Sequence, residues 1–92
     1  MITSKSNPKI KNVVKLQKSS ERRDQNRIII EGIREIERAV ACGFIIDTLF
    51  ICNEILKESI DIKANIIEEV TLEVFEKIAY REGSDGLLAV AI

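Results

Sequence analysis

The sequence contains no histidine and no tryptophan, and only one proline and two cysteines. Without histidine, the chain lacks the side chain that most often serves as a general base near neutral pH and as a metal ligand. The two cysteines, Cys42 and Cys52, cannot complete a four-ligand zinc site by themselves. We expect both to be small buried residues with free thiols. Histidine-dependent catalysis and a common zinc site are therefore excluded.

Long apolar runs and exposed aromatic residues are also scarce. Every apolar run is far shorter than the roughly 20 residues of a membrane-spanning helix, so we expect a soluble, cytoplasmic protein with no membrane partner. The three phenylalanines, Phe44, Phe50 and Phe75, fall at positions that we expect in the core. The sequence therefore predicts no aromatic platform for stacking RNA bases. The glycine motifs that bind dinucleotides or triphosphates are absent as well.

The charge is divided unevenly along the chain. The formal net charge is -1, but residues 1–27 carry +6 and residues 28–92 carry -7. We expect a single domain over 1–92, with a basic helical arm at 1–27 and an α/β body at 28–92. Charge separation of this kind is typical of an edge that binds a polyanion. A solvated basic helix that binds nothing would explain the charge alone equally well.

Helix and strand signals alternate along the chain. Ser6-Asn7-Pro8 predicts the start of a first helix, because a capping side chain precedes proline at the first helical position. The other predicted elements are strand 27–31, helix 33–42, strand 45–52, a short helix 53–57, strand 66–70, helix 71–79 and strand 87–92. This order predicts an α/β domain of about four strands with helices on both faces and a largely parallel sheet. The apolar strand at the end predicts that the chain continues past residue 92.

A candidate binding site lies at Gly32, between the first predicted strand and the helix after it. A strand that ends in Glu31-Gly32 and turns into a helix offers backbone N–H groups to a phosphate or a base edge. We expect five arginines to converge on this region: Arg22, Arg23, Arg27, Arg34 and Arg38. A guanidinium binds phosphate with two parallel hydrogen bonds. Alternatively, Arg34 and Arg38 only pair with neighbouring glutamates on a solvated helix.

The chain resembles the N-terminal substrate-binding domain of the SpoU family of RNA ribose 2'-O-methyltransferases, which belongs to the SPOUT superfamily. The residues that carry the resemblance are Ser4-Lys5-Ser6-Asn7-Pro8-Lys9-Ile10-Lys11, Lys15-Leu16, Arg22-Arg23 and the run from Arg27 to Ile36. The domain is also similar to ribosomal proteins that bind kink-turn RNA, which are three-layer α/β/α sandwiches. The asparagine expected in those proteins is replaced by Arg34, which favours the methyltransferases.

The resemblance implies a domain that captures RNA, with ribosomal RNA favoured over transfer RNA. S-adenosylmethionine and the catalytic groups would belong to a SPOUT domain after residue 92, so this part would have no cofactor and no catalytic residue. The parent would be a homodimer, and this part by itself a monomer. The implied RNA-binding residues are Lys5, Asn7, Lys9, Lys11, Arg22, Arg23, Arg27, Glu31, Gly32, Arg34, Arg38 and Arg81. The alternatives are a free-standing kink-turn or ribosome-associated binding protein and, less favoured, a protein-interaction domain.

Overall fold

The computed structural model describes residues 1–80 and 83–92 as a four-stranded sheet with helices on both faces. The described elements are α1 (Pro8–Lys15), α2 (Ser19–Gln25), β1 (Ile28–Glu31), α3 (Ile33–Ala41), β2 (Ile46–Ile51), β3 (Ile66–Glu69), α4 (Leu72–Ile78) and β4 (Leu87–Ala91). The predicted helix at 53–57 is wrong. The chain makes only a turn there, in which the Cys52 carbonyl accepts hydrogen bonds from Ile55 N and Leu56 N.

The strand order is β1-β4-β2-β3. β1, β2 and β3 run in one direction, while β4 is inserted antiparallel between β1 and β2. The prediction of a largely parallel sheet is therefore wrong, because only β2 and β3 form a parallel pair. The reason is the course of α4. This helix leaves the end of β3 and leads to Tyr80, whose backbone bonds Glu31 at the end of β1, so β4 starts at the same end of the sheet and must run back.

Two hydrophobic cores lie on opposite faces of the sheet. One contains the buried side chains of α1 and α4, and the other those of α3, against which partly buried residues of the 52–65 connection pack. All five residues of β4 are buried, with Leu88 and Val90 in the first core and Leu87, Ala89 and Ala91 in the second. This alternation is what a central strand requires when both faces are covered. The predicted α/β/α sandwich is confirmed.

The basic segment before β1 is packed into the body. The first core contains Ile10 and Val13 of α1 and the C-cap residue of this helix, Leu16. Ile2 forms a β-bridge with Val70. The charged side chains of α1 thus lie on the outer face of a docked helix. By contrast, α2 buries no residue. Its sequence is wholly polar and therefore shows no apolar periodicity.

Two side chains that we expected in the core are exposed. Phe44 is 41% exposed and Cys42 is exposed, because both lie around the Gly43 turn between α3 and β2, beyond the end of the sheet. Phe50, Phe75 and Cys52 are buried as predicted. Over the described part of the chain, no helix has the length and apolar character needed to cross a membrane.

Candidate nucleic-acid interface

The sheet keeps Arg27 away from the predicted site at Gly32. Arg27 precedes β1 and forms an ion pair with Asp47 near the start of β2, with Nε and Oδ2 3.7 Å apart. Gly32 follows the other end of β1. A strand rises about 3.3 Å per residue, so the four residues of β1 hold the two positions far apart. The structure therefore does not bring all five arginines together.

The start of α3 borders a depression that is mainly acidic, which we call the α3 depression. It is lined by Gly32, Ile33, Arg34, Glu35, Glu37, Glu58 and Asp85. Oδ2 of Asp85 accepts a hydrogen bond of 2.9 Å from Ile33 N, so this N–H of the helix start is already occupied. With four carboxylates and one guanidinium, the depression disfavours phosphate and suits donor groups such as base amino groups.

Replacement of Asp85 by alanine tests its role as the cap of α3. Loss of a capping carboxylate costs about 1 kcal/mol, within a range of roughly 0.5–2, and we expect a fall of this size in the free energy of unfolding measured by urea denaturation. Asp61→Ala is the control, because Asp61 is exposed in the 52–65 connection. Equal stability of the two variants would contradict the capping role.

The predicted RNA-binding residues around the start of α1 include three that have partners within the fold. Oδ1 of Asn7 caps α1 by accepting a hydrogen bond of 2.9 Å from Lys9 N. Nζ of Lys5 lies 3.4 Å from Glu73 Oε1, and Nζ of Lys9 lies 3.3 Å from Glu68 Oε1. These ion pairs lie at the surface, where such pairs contribute only about 0–1 kcal/mol. They tie the start of α1 to β3 and α4.

A cationic cleft lies between α1 and α4, and we call it the α1–α4 cleft. Its lining residues are Lys5, Ser6, Lys11, Val14, Lys15 and Lys77. Among the described residues, Lys11, Lys15 and Lys77 have no carboxylate within ion-pair distance. Three unpaired ammonium groups on two packed helices form a surface that attracts a polyanion. Neither Lys15 nor Lys77 was among the predicted RNA-binding residues; Lys77 was missed because it lies within the acidic part of the chain.

Arg22 lies at the end of α1, and Glu31 holds the backbone of Tyr80. Nη1 of Arg22 donates hydrogen bonds of 2.9 Å to the carbonyls of Leu16 and Gln17. Tyr80 N donates a hydrogen bond of 2.7 Å to Oε1 of Glu31. Burial raises the pKa of the Tyr80 phenol; the nearby Arg22 lowers this pKa and Glu31 raises it. The structure therefore brings two predicted site residues, Arg22 and Glu31, to one exposed tyrosine.

The remaining predicted site residues are dispersed. Arg23 and Arg34 are exposed, and Arg38 Nη1 lies 3.9 Å from Glu35 Oε1 on the same helix. This contact matches the alternative in which Arg38 pairs with a neighbouring glutamate. Gly32 N donates to the Leu87 carbonyl at 3.0 Å. Arg81 lies outside the described residues.

Neither charged depression fits S-adenosylmethionine. Its sulfonium and amino groups are cationic, so the ammonium groups of the α1–α4 cleft would repel it. Of the described residues that line the α3 depression, Ile33 is the only one with an apolar side chain, and these residues offer no apolar wall for an adenine. Over residues 1–80 and 83–92, no group of three or more Cys, Asp or Glu side chains could hold a metal ion.

Comparison with known structures identifies similar domains. The chain is similar to an RNA 2'-O ribose methyltransferase, with a TM-score of 0.84 and 32% identity over 98% of this chain and 36% of that one. It is also similar in fold to an rRNA methyltransferase from Sinorhizobium meliloti, with a TM-score of 0.75 and 20% identity over 98% of this chain and 35% of that one.

A third similar fold is the SpoU methyltransferase AviRb from Streptomyces viridochromogenes in complex with AdoMet. Its TM-score is 0.70 at 16% identity, over 92% of this chain and 35% of that one. The chain thus spans about a third of the length of these proteins. No curated protein matches it.

The family model of the MRM3-like substrate binding domain matches residues 7–89. The match spans the chain from the cap of α1 into β4. It agrees with the structural similarity to an RNA 2'-O ribose methyltransferase, and the predicted SpoU-type substrate-binding domain is confirmed. The chain belongs to the MRM3-like substrate-binding domain family.

Proposed function

We propose that this domain binds RNA for a ribose 2'-O-methyltransferase and that the RNA is ribosomal. The α1–α4 cleft carries this proposal, because Lys11, Lys15 and Lys77 line it and none of them pairs with a carboxylate of the described residues. Ammonium groups contact phosphates without reading the sequence, so they set the position and orientation of the RNA. Structured RNA is recognised largely through its shape.

In this proposal the domain contributes to catalysis by positioning. Holding a ribose 2'-hydroxyl near the methyl donor converts an encounter in solution into a reaction between oriented groups. S-adenosylmethionine would be held by another part of the parent protein. The domain by itself would be a monomer, the parent a homodimer, and both cytoplasmic. The chain's own part in the reaction is to bind and orient RNA.

The proposal is tested by measuring RNA affinity as a function of salt. Fluorescence anisotropy of a labelled ribosomal RNA hairpin should show binding at low salt, with log affinity falling by roughly 0.7–0.9 per phosphate contact for each unit of log salt. A transfer RNA of similar length should bind more weakly. No affinity for either RNA at low salt would overturn the proposed function.

The contribution of the α1–α4 cleft is tested by removing one lysine from each helix. Lys11→Ala and Lys77→Ala should each weaken binding and lower the salt slope by roughly 0.7–0.9, and the double variant by about twice that. Lys63→Ala removes the same charge from the 52–65 connection, which packs on the other face of the sheet, and should leave the slope unchanged.

Binding of RNA at the α3 depression would give a different pattern of variant effects. In the kink-turn alternative, RNA would meet the start of α3, where Arg34 is the only basic side chain among the described residues that line the depression. Arg34→Ala would then abolish binding, while Lys11→Ala and Lys77→Ala would have no effect. That result would move the interface to the opposite face of the sheet and favour the kink-turn binder.

A further inference from the structure

Tyr80 is an exposed aromatic residue whose backbone is held in place. The residue is 56% exposed, whereas Phe50 and Phe75 are buried. Its N–H donates to the Glu31 carboxylate at 2.7 Å, which anchors the chain just after α4. The structure thus presents an aromatic side chain at a defined place on the surface.

The surroundings of Tyr80 suit a flat, uncharged ring. Beside it lies a depression whose lining includes the apolar residues Ile55, Leu72 and Ala79 together with the carboxylate of Glu76. The apolar side chains would cover the edge of a nucleobase. An exposed aromatic face beside apolar side chains is the usual platform for an unpaired base.

The α1–α4 cleft leads toward this position. Lys5 and Glu73 join the starts of α1 and α4, while Arg22 binds the carbonyls of Leu16 and Gln17 at the end of α1. Tyr80 follows the end of α4. An RNA strand that follows the lysines between the two helices would therefore arrive at Arg22 and Tyr80.

We propose that Tyr80 stacks on an unpaired base of the bound RNA. This inference rests on the proposed function and narrows its substrate to RNA with a looped or bulged nucleotide. A continuous duplex cannot satisfy the site, because its bases are stacked on one another and are not available to a side chain. The ring of Tyr80 would take the place of a neighbouring base in the stack.

The fluorescence of Tyr80 can report directly on stacking. The sequence has one tyrosine and no tryptophan, so tyrosine fluorescence comes from Tyr80 alone. A hairpin with one bulged adenosine should quench this emission as it binds, and a fully paired duplex of the same length should not. Free N-acetyltyrosinamide with the same RNA corrects for light absorbed by the RNA, and anisotropy of labelled RNA measures binding independently.

The variants test whether the aromatic ring of Tyr80 is required for binding. Tyr80→Leu should weaken binding of the bulged hairpin by roughly 5-fold to 150-fold, the range expected for loss of one base stack, while Tyr80→Phe should retain most of the affinity. Neither should change duplex binding. Phe44→Leu alters another exposed aromatic residue, at the opposite end of the sheet, and should have no effect.

The outcomes distinguish this inference from the proposed function. Binding by anisotropy without quenching, or equal affinity of Tyr80→Leu and the wild type for the bulged hairpin, would overturn stacking and leave RNA binding intact. Absence of binding by anisotropy would overturn both. Thermal unfolding of Tyr80→Leu should match the wild type, since the side chain is mostly exposed, and this shows that any loss of affinity is not a loss of fold.

Discussion

Replacement of Phe75 by alanine is expected to lower the free energy of unfolding by about 3–5 kcal/mol. Phe75 is only 1% exposed and lies with Phe50, Val74 and Ile78 in the core between the sheet and the α1 and α4 helices. The smaller side chain would leave a cavity that the sheet cannot close. Small domains have a total stability of about 5–15 kcal/mol, so the variant would lose a large part of it.

Urea denaturation of Phe75→Ala and Phe44→Ala measures this effect with the same chemical change at two sites. Phe44 is 41% exposed, and we expect its replacement to cost about 1 kcal/mol or less. Phe75→Ala should also weaken RNA binding, because Phe75 fixes the helix that carries Lys77 and precedes Tyr80. Similar denaturation midpoints for the two variants would show that Phe75 does not fill the core as described.

Replacement of Gly86 by alanine is expected to lower the free energy of unfolding by about 3 kcal/mol, through two separate costs. Gly86 has a φ of 92°, a conformation that costs other residues roughly 1–2 kcal/mol. In addition, a Cβ atom would lie 2.9 Å from both the Cys52 carbonyl oxygen and Leu56 N. Overpacking of this kind adds typically 1–3 kcal/mol, because the neighbouring atoms belong to the backbone and cannot turn aside.

Gly43→Ala is the matched control for this variant. Gly43 has a similar φ of 96°, but a Cβ atom there would meet nothing within 4 Å. The difference between the two variants in urea denaturation therefore isolates the steric cost at Gly86. If both lose the same stability, the close approach of Gly86 to the turn after Cys52 is not a constraint on the fold.

Gly86 also links the fold to the α3 depression. Its carbonyl accepts a hydrogen bond from Cys52 N, which joins the start of β4 to the end of β2. The preceding residue, Asp85, caps α3 through Ile33 N. A bulkier residue at 86 would displace this carboxylate together with the strand, so we expect Gly86→Ala to lose the stabilisation that Asp85→Ala removes.

Local signals predicted most of the elements. Asn7 and Pro8 placed the start of α1 correctly, because capping and the fixed φ of proline depend only on nearby residues. The apolar spacing of α3 and α4 likewise indicated their buried faces, and Ile33, Ile36, Val74 and Phe75 are buried. Val40 shares the helical spacing but is 40% exposed. The helix α2 was missed, because it has no buried face from which a period could be read.

The candidate site was predicted less completely than the fold. Lys5 and Lys11 of the α1–α4 cleft were among the predicted RNA-binding residues, since the positive charge before β1 is visible along the chain. Lys15 was not among them, although it lies in the same basic segment. Lys77 and the contact between Tyr80 and Glu31 were also missed, because they join segments that are far apart in sequence. Arg27 was grouped with residues near Gly32, although the two lie at opposite ends of β1. The charge pattern alone does not show how far apart two residues lie along a strand.

The sequence by itself determined the types of most elements, the two-sided burial of β4, the division of charge and the absence of histidine chemistry. These properties follow from the identity and spacing of neighbouring residues. Only the tertiary structure decided the direction of β4, the acidic character of the depression at α3 and the pairing of α1 with α4 around three lysines. Each depends on how helices cross the sheet, and that course is set by contacts between residues distant in the chain.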